Sequence, residues 1–236
     1  MDPLSPVEVL DAWETGFSLA PARRTLALLA AATGRGVADL AAEPVAARDA
    51  ALLDLRVAHF GDTIDAVASC PACGEALELS LDASALLAPS VPADVVVERR
   101  GFRVRFRLPS TEDVVTVAPS EGAREALIRR CVVEARREGE AIDAEALPPD
   151  LLDAIDERMG SADPSNVVLD LSCAACGHAW RAPFDAGALL WRELDALARR
   201  LALDVHTLAS AYGWSEADIL LMSPARRRLY AEAVAR

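Results

Sequence analysis

Two pentapeptides, CPACG at residues 70–74 and CAACG at 173–177, constrain this chain more than anything else in it. Each is a Cys-x-x-Cys pair followed by glycine, and 99 residues lie between Cys73 and Cys173. Two thiolates so spaced grip one metal when the backbone turns into a tight knuckle. The residue after the second cysteine then often takes a left-handed conformation, which glycine adopts without penalty. Gly74 and Gly177 stand at those positions. Both pairs abut stretches of β character: EALELSLD (75–82) follows the first, NVVLDLSC (166–173) enters the second, and HAWRAPFD (178–185) leaves it. Two knuckles on neighbouring hairpins place four sulfurs in a tetrahedron, the closed coordination of structural zinc. The reading is therefore one site: Cys70, Cys73, Cys173 and Cys176 hold one structural zinc ion. The intervening residues form an insertion that leaves the base of one hairpin and returns to it. A closed site offers no position to water, so it serves structure rather than catalysis.

Other uses of the cysteines fit less well. A thioredoxin-type redox pair sits at a helix start after a strand, whereas the first pair here leads into a strand. Disulfides are disfavoured in a reducing compartment. His178 adjoins the second knuckle, but four cysteines already close the site. Cys131, between Ile128 and Val132, reads as a small buried hydrophobe.

The formal net charge of −13 argues against nucleic acid, whose phosphates demand cationic partners. It suits a basic protein partner. All 24 basic residues are arginine, so neither a Schiff-base lysine nor a phosphate-loop lysine exists. No membrane association is expected, because the longest apolar run, Leu26 to Ala32, is too short to span a bilayer. No stretch near residue 1 carries a signal pattern, so a cytoplasmic location is expected.

The expected fold class is α+β. A small four-cysteine zinc-ribbon β core with an adjacent β-hairpin is flanked by N-terminal and C-terminal helices and carries a helical insertion. Residues 1–66 read as an N-terminal helical segment. Val7, Leu10 and Trp13 recur at helical spacing behind Ser5 as N-cap and Pro6 in the first turn, and a second helix stops at Gly34. A third offers Leu52, Leu55, Val57 and Phe60 to a core. Residues 67–109 hold the first knuckle and the β-hairpins. Phe102, Val104, Phe106 and Leu108 alternate with Arg103, Arg105 and Arg107, and Gly101 serves the turn. Residues 110–164 form the helical insertion, with a helix over 120–139 opened by Ser120 and a short one after Pro148–Pro149. Residues 165–185 are the second knuckle hairpin. Residues 186–236 are C-terminal helices, with a stripe of Leu190, Trp191, Leu194 and Leu197 extended by Leu201, Val205 and Leu208.

Near the end, HTLASAYGWSEADILLM (206–222) resembles a helix-turn-helix, and a DNA-binding regulator is the competing reading. A recognition helix needs basic or amide side chains at its start, where this chain has Ser215, Glu216 and Asp218. The arginines Arg226, Arg227 and Arg228 come later. Together with His206, Tyr212 and Trp214, they are instead the candidate contacts for a protein partner, since aromatics and arginines anchor interfaces. An enzyme is not expected: the sequence has no nucleophile elbow, no phosphate-binding glycine loop and no metal motif with an open position. His59, beside Phe60, reads as a packing or surface residue.

Several stretches resemble the baseplate hub assembly proteins, or assembly chaperones, of contractile phage tails and related contractile injection systems. They are LDAWETG, PARRTLALLAAA, ARDAALLDLRVAHFG, CPACGEALELSLD, FRLPSTEDV, CAACGHAWRAPFDAGALLWREL and DVHTLASAYGWSEADILLMSPARRRLYAE, in that order across nearly the whole chain. The resemblance implies a non-enzymatic role in assembling a baseplate or forming part of it. The partners would be hub or wedge proteins. It also implies Cys70, Cys73, Cys173 and Cys176 as zinc ligands.

Overall fold

The computed structural model describes residues 1–86, 90–117 and 121–234. Four helices open the chain: α1 (Pro6–Phe17), α2 (Pro21–Thr33), α3 (Val37–Ala42) and α4 (Val45–Phe60). A hairpin of β1 (Thr63–Ser69) and β2 (Ala76–Asp82) leads through a single turn, α5 (Ala83–Leu86), to a second hairpin, β3 (Val95–Arg99) and β4 (Phe102–Phe106). Then come α6 (Thr111–Val117), α7 (Ala123–Cys131), β5 (Val132–Arg137), β6 (Glu140–Ala141) and α8 (Pro149–Ala162). A third hairpin, β7 (Val168–Ser172) and β8 (Ala179–Pro183), precedes α9 (Ala186–Tyr212), α10 (Glu216–Leu220) and α11 (Pro224–Val234). The fold is mixed, with helices around small antiparallel sheets, as the sequence suggests.

Two apolar cores organise these elements. The first joins the opening helices to α9 through Leu28, Leu29, Leu52, Leu55, Leu190 and Leu194, with Ile64 of β1 reaching in. Ser5 caps α1 in a capping box with Glu8, and Pro6 occupies its first turn. The buried stripe of α1 is Val9, Ala12 and Gly16; Leu10 and Trp13 pack half-buried beside it, as expected, while Val7 is exposed. This face meets α9. A Cβ on Gly16 would meet the Trp191 ring at 2.7 Å, and the Trp13 indole N–H donates to Asp195 at 2.7 Å.

The second core fills the insertion. The sheet runs β3-β4-β5-β6, all antiparallel, and packs Val104, Phe106 and Ala135 against Ile128, Leu151, Leu152 and Ile155. Arg103, Arg105 and Arg107 do alternate with the buried row, but their charges are met internally, by Glu98, by Asp94 and Glu134, and by Asp113. The helix expected over 120–139 is instead a nine-residue helix, α7, followed at Val132 by strand β5. Two adjacent β-branched residues and an available β4 edge decide this, and a turn at Glu138–Gly139 with positive φ closes the hairpin to β6. Ser120 lies outside the described residues; Gly122 stands at the N-cap of α7. Strand β1 begins at Thr63, inside the stretch read as helical.

The two cores meet along one seam. The Val45 N–H donates to the Pro109 carbonyl at 2.9 Å, Arg48 reaches the Thr111 hydroxyl, and α3 lies against α6. Asp113 knots the seam from inside. Its carboxylate, 2 % exposed, accepts from the Ser110 N–H at 2.9 Å, the Ser110 hydroxyl at 2.8 Å, Arg107 at 3.1 Å and Arg130 at 3.3 Å. Burial alone would raise this carboxyl. The Arg107 guanidinium and the Ser110 donors outweigh it and hold the group well below the usual carboxylate range.

Candidate metal centre

The fold carries each knuckle at the tip of a hairpin. β1 and β2 pair from Thr63–Asp82 to Ser69–Ala76, and β7 and β8 pair from Val168–Pro183 to Ser172–Ala179. Each tip closes in the same way. The Gly74 N–H donates to the Cys70 carbonyl and the Gly177 N–H to the Cys173 carbonyl, both at 2.9 Å. Both glycines are left-handed, with φ of 78° and 72°. The Cys70 N–H then returns to the Glu75 carbonyl and the Cys173 N–H to that of His178, which starts the outgoing strand.

The tips meet. Cys70 Sγ lies 3.7 Å from Cys176 Sγ, Cys73 Sγ lies 3.7 Å from Cys173 Sγ, and all four sulfurs fall within 4.8 Å of one another. Four sulfurs ~2.3 Å from a central ion stand ~3.8 Å apart along the edges of a tetrahedron. The donor set and the spacing therefore fit a tetrahedral metal ion. Backbone N–H groups already point at the sulfurs as they would at thiolates: Ala72 and Cys73 at Cys70, Glu75 at Cys73, and His178 at Cys176.

The thiols also compete for charge. Desolvation raises Cys70, and the Ala72 and Cys73 N–H groups overcome it, leaving the thiol at about 7. The Glu75 N–H lowers Cys73, but the neighbouring Cys176 and Cys173 thiols push it up to about 12. A divalent cation bound there would favour the thiolate form of all four.

The strands around the cluster bury little. Of β1, β2, β7 and β8, only Ile64 is buried, and the remaining apolar side chains of their inner rows, such as Leu79 and Leu171, are half-exposed. Cys131 is apart from the cluster, fully buried in the second core, and burial pushes its thiol up to about 11. His178 stacks on Trp180 beside the second knuckle and contributes no ligand atom to the group of four.

The C-terminal candidates form a separate feature. Tyr212 stacks on Trp214 with ring centroids 4.5 Å apart, and Tyr230 meets Trp214 edge-on at 5.0 Å. Tyr212, Arg226 and Arg228 are exposed, while Trp214 is half-buried. Arg227 departs from the set. It is 4 % exposed, and its Nε donates to Asp204 of α9 at 3.0 Å, so it does not stand on the outer surface with its neighbours. His206 is half-way along this end of α9 and exposed.

The helix-turn-helix resemblance does not survive the geometry. Gly213 ends α9 in the left-handed region and Ser215 caps α10, but α10 has five residues and exposes Glu216 and Asp218. Such a helix neither fills a major groove nor offers phosphate donors. Among the described residues, no helix is long and apolar enough to cross a membrane.

No curated protein and no solved structure matches this chain. The sequence model of a phage protein family, described as T4 bacteriophage base plate protein, matches residues 26–185. The matched stretch begins in α2, spans both knuckles and the whole insertion, and ends at Asp185, the residue that caps α9. It covers more than half of the sequence, and the chain therefore belongs to the T4 bacteriophage base plate protein family.

Proposed function

We propose that this protein is a non-enzymatic, zinc-stabilised binding factor that assembles a contractile-tail baseplate. Membership of the baseplate family carries the reading, because baseplate proteins act by binding one another. One structural zinc ion held by Cys70, Cys73, Cys173 and Cys176 locks the insertion to the helical core. Zinc is favoured over other metals by four thiolates in a closed tetrahedron, and it takes no part in chemistry there. The protein works in the reducing cytoplasm, where these thiols remain available to metal. Its partners are hub or wedge proteins of a phage tail or a related injection system. The exposed Tyr212, Arg226 and Arg228, with Trp214 behind them, form the contact surface, because rigid aromatics and arginines lose little freedom on docking.

A second reading, a structural part retained in the particle, is favoured by the family description itself, which names a base plate protein. One experiment separates the two. Tagged full-length protein is recovered from its native host, with assembled particles fractionated from soluble extract. An assembly factor brings down hub or wedge proteins from soluble extract and is missing from particles. A structural part is found in particles at fixed stoichiometry. Recovery of no tail protein from either fraction overturns both.

A further inference from the structure

Arg227 holds an unusual position. Its side chain is 5 % exposed, its Nε is committed to Asp204, and its Nη1 is buried with no acceptor among the described residues. Buried guanidinium N–H groups are rarely left unmatched, since each carries a desolvation cost that only an acceptor offsets. Arg129 Nε is also without a hydrogen bond, but Glu145 stands 3.3 Å from it, so that charge is answered. Arg227 Nη1 is not.

The same arginine lines a cleft between α9 and α11 with a volume of about 410 Å³. Leu197, Leu201, Pro224 and Ala231 make it apolar, while Arg200 and Arg228 bring two more guanidinium groups. Neither Arg200 nor Arg228 has an acidic partner within ion-pair distance among the described residues. The acids of the cleft are Asp204, already bound to Arg227, and Glu232. In a chain of net charge −13, this cleft collects cations around an unsatisfied donor.

We propose that the cleft between α9 and α11 is an anchor pocket for a single carboxylate side chain of a partner protein. Arg227, whose Nη1 is buried without an acceptor among the described residues, lines it together with Arg200 and Arg228. The volume has room for one side chain together with parts of the residues beside it. Guanidinium groups match a carboxylate with paired, charge-assisted hydrogen bonds. The apolar walls take the methylenes of a glutamate and the residues beside it. A polyphosphate is disfavoured, because Glu232 and the acidity of the whole chain repel closely spaced phosphates. The pocket deepens the partner-binding reading, on which it rests, and adds a specific demand: the partner must present an acidic residue with apolar neighbours.

The test has two arms. In the first, the full-length protein labelled at arginine nitrogens is titrated with the capped peptide Leu-Glu-Leu. The Arg227 side-chain signals should shift and saturate, and the Leu-Gln-Leu peptide should leave them unmoved. Arg200→Gln and Arg228→Gln, which leave the Arg227–Asp204 pair intact, should each weaken the peptide by about tenfold at unchanged melting temperature. Equal response to the glutamine peptide, or to acetate alone at the same concentration, overturns the pocket. So does unchanged affinity in both variants. In the second arm, the Arg200→Gln, Arg228→Gln double variant replaces the wild type in the host pull-down. If the wild type recovers tail proteins and the double variant recovers them equally, the pocket is overturned while the assembly role stands. If the wild type recovers none but the peptide arm succeeds, the assembly role fails while the carboxylate site stands.

Discussion

The sulfur of Cys70 lies 3.7 Å from that of Cys176, although 106 positions separate the two in sequence. Everything between them, including the whole second core, leaves the helical body near one knuckle and comes back at the other. Because the four hairpin strands bury only Ile64 among themselves, packing alone gives the two tips little reason to stay together. The zinc ion proposed above would be the larger force there. Cys176→Ser should therefore take bound zinc from one equivalent to none and melt the two hairpins, while α1, α2, α4 and α9 keep their helical signal. Metal analysis, circular dichroism and thiol titration check this together. After chelation four thiols should react quickly, and Cys131, fully buried, only on unfolding. A Cys176→Ser protein that still binds one zinc with unchanged melting would contradict the assignment.

Close helix packing yields a second expectation. A Cβ on Gly187 would meet Thr25 Cγ2 at 2.7 Å and Leu52 Cδ1 at 3.7 Å, where α9 crosses α2 and α4. Gly187→Ala should cost about 1–3 kcal/mol by overpacking. Thr25→Ser removes the clashing methyl yet keeps the hydroxyl that donates to the Ala22 carbonyl. The double variant should then recover much of the loss, a coupling that urea denaturation of the four proteins measures. Strictly additive losses would show that the contact is not the cause.

How much of this was readable beforehand follows from how local each signal is. The knuckles were legible because two cysteines, three positions apart and followed by glycine, state a complete local geometry. The capping residue Ser5 and the helix stop at Gly34 are likewise decided within one turn of chain. Strand β5 was not legible. VVEARR continues the helical pattern of α7 as well as it alternates, and only the available edge of β4, some thirty positions earlier, selects the strand. Asp113 was hidden in part. The spacing of Ser110 and Asp113 is that of a capping box, and both reciprocal bonds form, but the burial of Asp113 depends on Arg107 and Arg130 arriving from β4's end and α7. Arg227 looks identical to Arg226 and Arg228 in sequence; the rotation of α11 against Asp204 sets it apart.

Asp113 gives a prediction with a pH signature. Its carboxylate has a depressed folded pKa, with burial opposing and Arg107 and Ser110 prevailing. Such a group contributes stability that is present above the unfolded value of about 3.9 and lost as pH falls below it. Asp113→Asn keeps the size but loses the charge-assisted bonds to Arg107, Arg130 and Ser110. It should destabilise the protein by about 2–3 kcal/mol at neutral pH. The gap between variant and wild type should narrow steadily as pH drops below about 4, where the wild-type carboxyl is protonating too. Denaturant midpoints measured for both proteins across the acid range test it, and a gap that stays constant would assign the loss to packing instead.

His59 makes the opposite kind of contact, and its pH dependence sits nearer neutrality. Its Nε2 accepts the Leu4 N–H at 2.9 Å, which tethers the residues preceding α1 to the end of α4. Burial lowers the imidazole pKa, so the folded state favours the neutral ring. A lowered folded pKa means that the unfolded chain binds the proton first. The contribution is therefore fully present above the unfolded value of about 6.5 and is lost as pH falls through the window beneath it. Protonation also turns the acceptor into a donor facing another N–H, so the tether itself should break. Leu4, 8 % exposed, would then lose its seat, and the amides of the N-terminal residues should be less protected, relative to the intrinsic exchange rate at each pH, at pH 5 than at pH 7.5. His59→Phe removes the acceptor at every pH. It should cost about 1 kcal/mol at pH 7.5 and abolish the pH dependence of the protection factor at Leu4. A Leu4 protection factor that follows pH in the variant as it does in the wild type would place the switch elsewhere.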